Sequence, residues 1–206
     1  MRSGERSERD QKASVARVAL AADAYAQLHE LRLRGMMPAP EGTAVEALCA
    51  DGLARRKGSL LVLTPDGRAF HAAWARLGPG SEEEAAARRA YDQFLPLNTE
   101  LLQVTTDWQV RAGNVPNDHS DAQYDWAVLD RLIALDERTG PVVRRLGNAV
   151  DRFAGYRPRL REALRRLNDG EQEWLASPTI DSYHTVWMQL HEDLLLALGL
   201  ERSAES

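Results

Sequence analysis

The sequence predicts a mainly α protein in two units: a small N-terminal unit built around a β-hairpin, then an all-helical bundle. Three observations carry that expectation. Apolar residues recur at helical spacing over most of the chain, two short β-type runs flank a turn at Gly58, and Gly78-Pro79-Gly80 separates the two regions. With 206 residues and 44% hydrophobic content there is enough material for one large core or two small ones. A single cysteine, Cys49, excludes a disulfide scaffold.

Residues 1–12 are polar and lack periodicity, which predicts a disordered tail. From Ser14 the pattern turns helical, with Val15, Val18, Leu20, Ala22, Tyr25, Leu28, Leu31 and Leu33 along one stripe. Gly35 is the expected C-cap, and Pro38 and Pro40 bar continuation. Thr43 with Glu46 three residues on is a capping-box pattern, opening a short helix from Ala44 to Ala50 that closes at Asp51-Gly52. The runs from Leu53 and from Leu60 to Thr64 form the hairpin. Pro65-Asp66-Gly67 punctuates the chain, and Arg68 to Leu77 is helical. Residues 13–77 make up this first unit.

The second unit spans 81–200 and reads as a bundle of about five helices. Ser81 followed by three glutamates is a capped start that suits the helix dipole. That helix is expected to reach about Thr105, with a kink or break at Pro96. Residues 112–120 read as a polar loop. Helices follow at about 121–137, 140–154, 156–168 and 178–198, with Pro141 in a first-turn position.

Net charge is −5, distributed as +3 over residues 1–80 and −8 over 81–206. A strongly acidic second unit argues against phosphate contact there, since Lys and Arg supply most non-specific nucleic-acid affinity. The two signs suggest two units with different jobs. No apolar run approaches the roughly 18 residues of a membrane helix. The charged N-terminus carries no secretory apolar stretch. These features predict a soluble cytoplasmic protein with no membrane partner.

The segment Ala47-Leu-Cys-Ala-Asp-Gly-Leu-Ala-Arg-Arg-Lys-Gly-Ser-Leu-Leu-Val-Leu-Thr-Pro-Asp-Gly-Arg68 resembles the "L…GL-x-R…LTP-x-GR" signature of MarR-like winged helix-turn-helix regulators. Leu102–Arg111 (LQVTTDWQVR) and His184–Gly199 (HTVWMQLHEDLLLALG) resemble the helical C-terminal region of actinobacterial proteins of that kind. The resemblance implies an N-terminal winged helix, DNA as partner and a homodimer. It implies Arg55, Arg56 and Lys57 on the wing beside Ser59, and Thr43 at the groove. One departure stands out. Only 17 residues separate Gly35 from Gly52, room for one loop and one helix where a helix-turn-helix needs two. Met36–Gly42 reads as the remnant of the missing helix. The remaining helix offers Thr43, Glu46 and Ala47, without the Arg, Asn or Gln that reads base edges.

In the larger unit, Trp108, Trp126, Trp174 and Trp187, with Tyr124, Phe153, Tyr156 and Tyr183, either form plain core or line an apolar effector cavity. The effector reading assigns Trp108, Arg111, Trp126, His184 and Trp187 to a small-molecule ligand. Asp107 and Arg111 stand four apart as an ion pair or a polar handle. His184 and His191, seven apart, share a helix face, but that spacing exceeds the i,i+4 of metal pairs. The run Arg157, Arg159, Arg161, Arg165, Arg166 could grip an anion, whereas Glu162 and acidic surroundings favour a salt-bridged face. Cys49 reads as a small buried hydrophobe. No nucleophile-elbow, zincin, P-loop or dinucleotide motif is present, so no catalytic residue, cofactor or metal ligand is predicted. Two functions follow: a transcriptional regulator with a dimerising or ligand-sensing helical unit, or a helical protein that binds no DNA and takes a small molecule or protein partner.

Overall fold

Seven α-helices and a small antiparallel sheet make up the computed structural model, which describes residues 22–201. The tail expected over 1–12 and the helical start expected at Ser14 lie outside those residues. Contacts divide the chain into two compact units, with the boundary between Arg76 and Leu77.

In the first unit the order is α1 (Ala22–Arg34), β1 (Met36–Pro38), α2 (Thr43–Ala50), β2 (Ala54–Lys57), β3 (Leu60–Leu63) and α3 (Pro65–Ala75). α1 buries Ala24, Leu28 and Leu31, whereas Ala22 is exposed, so the expected stripe is displaced at its start. Gly35 ends α1 with φ +76°, a conformation that costs other residues a Cβ clash. The stretch after it is not a helix remnant. Met36–Pro38 pairs antiparallel with Leu60–Val62, giving a three-stranded sheet of order β1-β3-β2. Proline is tolerated at Pro38 because β1 is an edge strand.

Thr43 is the first helical residue of α2 and not its cap. Gly42 holds the cap position, its carbonyl accepting from Glu46 N at 3.2 Å. Gly58 opens the two-residue hairpin turn with φ +62°. Thr64 caps α3, its hydroxyl accepting from Gly67 N at 2.9 Å and donating to Gly52 O at 2.6 Å. α3 therefore starts at Pro65, not Arg68. Proline suits that first turn because its missing N–H has no helical partner there. Leu28, Leu31, Val45, Leu48, Leu53, Leu61 and Leu63 form the core, with Cys49 partly buried against it.

The second unit holds four long helices rather than five: α4 (Glu82–Gln109), α5 (Ala122–Ala149), α6 (Tyr156–Asn168) and α7 (Tyr183–Leu198). Ser81 caps α4 as expected, accepting from Glu84 N at 3.0 Å. Neither proline breaks its helix. Pro96 and Pro141 lie on exposed faces, so the carbonyls of Asp92 and Glu137 that lose their partners can bond to water. The helices expected at 121–137 and 140–154 are thereby one. The expected loop at 112–120 holds β5 (Val115–Pro116), which pairs with β4 (Val110–Arg111) just before it.

Phe94, Leu101, Leu132, Leu135, Phe153, Leu160, Trp187 and Leu190 fill this core. Two buried carboxylates lie among them. Asp136 on α5 accepts a forked pair of bonds from Arg157 on α6 (2.6 and 2.9 Å) and one from the Tyr183 hydroxyl on α7 (3.0 Å). Asp193 on α7 meets Arg152 Nε at 3.1 Å and the Tyr156 hydroxyl at 3.1 Å. Burial, reinforced by the adjacent carboxylate, pushes both phenols well above their ordinary range. Gly140 eases this crossing, because a Cβ there would lie 3.0 Å from the Arg157 guanidinium and push it aside. Removing one partner of a buried ion pair leaves an uncompensated charge. Arg157→Leu should therefore cost about 3–5 kcal/mol of stability. A urea midpoint within error of wild type would show that Asp136 is not held as described.

Candidate functional site

The arrangement most suited to chemistry lies where α4 gives way to α5. The β4–β5 ladder reverses the chain and lays Asn117 back against α4, its amide N–H donating to Gln109 O at 2.9 Å. Two residues of this segment carry positive φ without being glycine: Asn114 (+61°) and His119 (+58°). Asn and His are among the residue types that tolerate that region best. The Asn117 side-chain amide donates to Asp125 Oδ1 (2.8 Å) and to Trp108 O (3.1 Å), which uses both its hydrogens.

His119 Nδ1 lies 3.0 Å from Asp125 Oδ2. An ionised carboxylate only accepts, so Nδ1 carries the hydrogen of that bond. In the neutral imidazole Nε2 then bears the lone pair. The nearby contact between Asn117 Nδ2 and His119 Nδ1, at 3.2 Å, is a close approach of two donors. His119 also packs on the indole of Trp108, with 4.5 Å between centroids. Asp125 is buried and cannot reorient without losing both partners.

This network forms one wall of a cleft of about 270 Å³. Trp126 and Leu129 add an apolar wall from α5, and the end of α6, Leu167 to Gly170, closes the opposite side. The cleft is at the small end of the range for ligand sites and combines apolar surface with a few fixed polar atoms, as such sites do. Trp126 is 56% exposed, an unusual position for an indole with no partner to cover it.

Two of the five residues expected at a ligand meet here: Trp108 and Trp126. Arg111 stands outside the lining, bonded to Asp121 Oδ2 at 2.8 Å and lying 4.5 Å over the Tyr124 ring. Its expected partner, Asp107, is taken by Arg131 at 2.6 Å. The two cannot form a helical i,i+4 pair, because α4 ends at Gln109. Trp187 is fully buried against Phe94 at 4.6 Å, with its indole N–H on Asn98 Oδ1 at 2.9 Å, and it is not part of this cleft's lining. His184 sits at the start of α7, also away from the cleft, and its fellow histidine His191 packs on Phe94 at 5.2 Å. His119, Asn117 and Asp125 escaped the sequence reading. Their signal is an Asn-x-His followed six residues on by Asp, which in a polar loop looks like solvent-facing composition.

In the first unit Thr43, Arg55, Arg56, Lys57 and Ser59 are all exposed. The strand register puts Arg55 and Lys57 on one face with Val62 and Leu60, and Arg56 on the other, opposite the buried Leu61. Arg56 reaches the Pro40 carbonyl at 3.4 Å. No described acid is paired with these three cations. Four of the five arginines in the α6 run behave differently: Arg157 meets Asp136, Arg159 meets Asp181, and Arg165 and Arg166 share Glu162 and also hold Asp169 and Glu171, whereas Arg161 is exposed. Those two guanidiniums pull the Glu162 carboxyl down to about 2. Among the described residues no cluster of His, Cys, Asp and Glu is arranged to hold a metal, and no helix is long and apolar enough to cross a membrane.

Comparison with protein-family models, curated proteins and solved structures gave no match in any of the three.

Burial holds the His184 imidazole below its ordinary 6.5. The unfolded chain then takes up a proton before the folded one does, so this residue's contribution is complete above 6.5 and is lost as pH falls through the folded value. His184→Gln should flatten the decline in urea midpoint between about pH 7 and pH 5. Parallel pH profiles for variant and wild type would sink that assignment.

Proposed function

We propose that the protein is a cytoplasmic transcriptional regulator whose N-terminal unit binds DNA as a shortened winged helix, as a dimer, while the helical unit senses a small molecule. The observation that carries this reading is the contrast in cation use. Arg55, Arg56 and Lys57 stand exposed on the hairpin with no described acid against them, while four of the five arginines in the dense run of the acidic unit, Arg157, Arg159, Arg165 and Arg166, each meet a carboxylate. Free cations on a protruding hairpin suit phosphates, and neutralised ones do not. The order helix, strand, helix, hairpin, helix is compatible with a winged helix lacking one helix. Ser59 in the hairpin turn adds a hydroxyl donor beside Lys57 and Arg55. A dimer would place two hairpins on a two-fold symmetric site.

One observation favours a second reading. The single helix between β1 and β2 exposes Thr43 and Glu46 and offers no side chain of the kind that reads base edges. In that reading the first unit contacts a protein and binds no DNA.

Anisotropy titration of fluorescent DNA from the gene's own upstream region, over a salt series, separates the two. The regulator reading expects affinity that falls steeply with salt. Arg55→Ala/Lys57→Ala should weaken binding across sequences and lower the salt slope by about two. Unchanged binding by that variant refutes the hairpin as the contact, and no binding at low salt establishes the second reading.

A further inference from the structure

We propose that the cleft between α5 and the end of α6 is a binding site for an organic cation with a flat ring system, an arylalkylamine in its ammonium form. This deepens, and for its regulatory meaning rests on, the reading of the helical unit as the sensing part. Four features of the cleft agree in sign. Trp108 and Trp126 bring indoles to its lining, and indole faces carry the negative side of the ring quadrupole that attracts cations. The opposite wall is the C-terminal end of α6, where the helix dipole leaves partial negative charge. Asp169 caps that end, with Arg165 on one of its oxygens at 2.6 Å. Asp125 lies beneath His119, and no Lys or Arg lines the cleft.

The opposing contribution is the N-terminus of α5, since Ala122 also borders the cleft. There the Asp121 side chain accepts from Tyr124 N at 3.1 Å, which places a carboxylate on the positive helix end. That bond and the Arg111 contact hold the Asp121 carboxyl below its ordinary range, so the cap is an anion at neutral pH.

His119 supplies the directional contact. Its Nδ1 hydrogen is committed to Asp125, so the neutral ring offers Nε2 as a hydrogen-bond acceptor, and no described protein group takes it. An ammonium N–H fits such an acceptor, whereas a carboxylate ligand brings two more acceptors into a field already negative. Asn117 fixes the arrangement by holding Asp125 and Trp108 together. The volume of about 270 Å³ suits one or two fused rings with a short side arm.

Isothermal titration calorimetry of the full chain with 2-naphthylmethylammonium, 2-naphthylmethanol and 2-naphthoate, at pH 7.5 and low salt, tests the assignment. The three share one ring system and differ in the charge of the arm. The ammonium should bind at least about tenfold tighter than the naphthoate, with the alcohol between them. Trp126→Ala should weaken the ammonium by about tenfold while leaving the circular dichroism spectrum unchanged, since the indole is more than half exposed. A naphthoate that binds as well as the ammonium, an unaffected Trp126→Ala variant, or no heat from any of the three at millimolar concentration would each overturn the proposal. The wild-type comparison needs no variant to fold. The titration contains no DNA, so its failure leaves the DNA reading standing, and loss of DNA binding would leave this site untouched.

Discussion

Asp136 and Asp193 lie inside the helical unit, and each is held by one arginine and one tyrosine drawn from other elements. Together they tie α5, the turn at 151–153, α6 and α7 into one arrangement. Apolar faces alone are compatible with helices sliding by a turn, because leucine meets leucine in many registers. A buried carboxylate that needs a guanidinium and a phenol admits far fewer, and the cost of leaving it unpaired enforces the choice. Gly140, kept free of a Cβ where the Arg157 guanidinium crosses, shows how closely this contact is accommodated. Everything placed at the ends of these helices depends on it, including the last turn of α6 that closes the cleft.

The same use of charge divides the labour of the chain. The acidic unit neutralises most of its arginines internally, so its remaining field is negative, and the cleft shares that sign. The small unit leaves Arg55, Arg56 and Lys57 exposed with no described acid paired to them. Net charge is thus segregated by sequence region, +3 before residue 81 and −8 after it. On the proposed reading, a helical unit of the same sign as DNA does not compete with the hairpin for phosphates.

Much of the fold was legible because its punctuation is local. Ser81 with its glutamates and Gly58 between two short β-type runs each act through bonds spanning three residues. The errors came where a distant partner decides. Met36–Pro38 is a strand only because β3 lies beside it, and its three residues with a proline carry no period of their own. Pro141 looks like a helix start, but it lies on the exposed face of α5, where the carbonyl that loses its partner can bond to water. The site was less legible still. Trp108 and Trp126 stood out as large aromatics, but so did Trp187, and only their place on the cleft lining separates them, since Trp108 is as buried as a core residue. Asn117, His119 and Asp125 join through side-chain bonds across a reversal of the chain, which composition does not report.

The central claim is that the hairpin, and not the arginine-rich α6, meets DNA. Amide hydrogen exchange of the full chain with and without its upstream DNA, at low salt, addresses this directly. The account predicts added protection over residues 54–63, extending to α2, with the exchange of α6 unchanged. Protection centred on residues 156–168 and absent from the hairpin would contradict it.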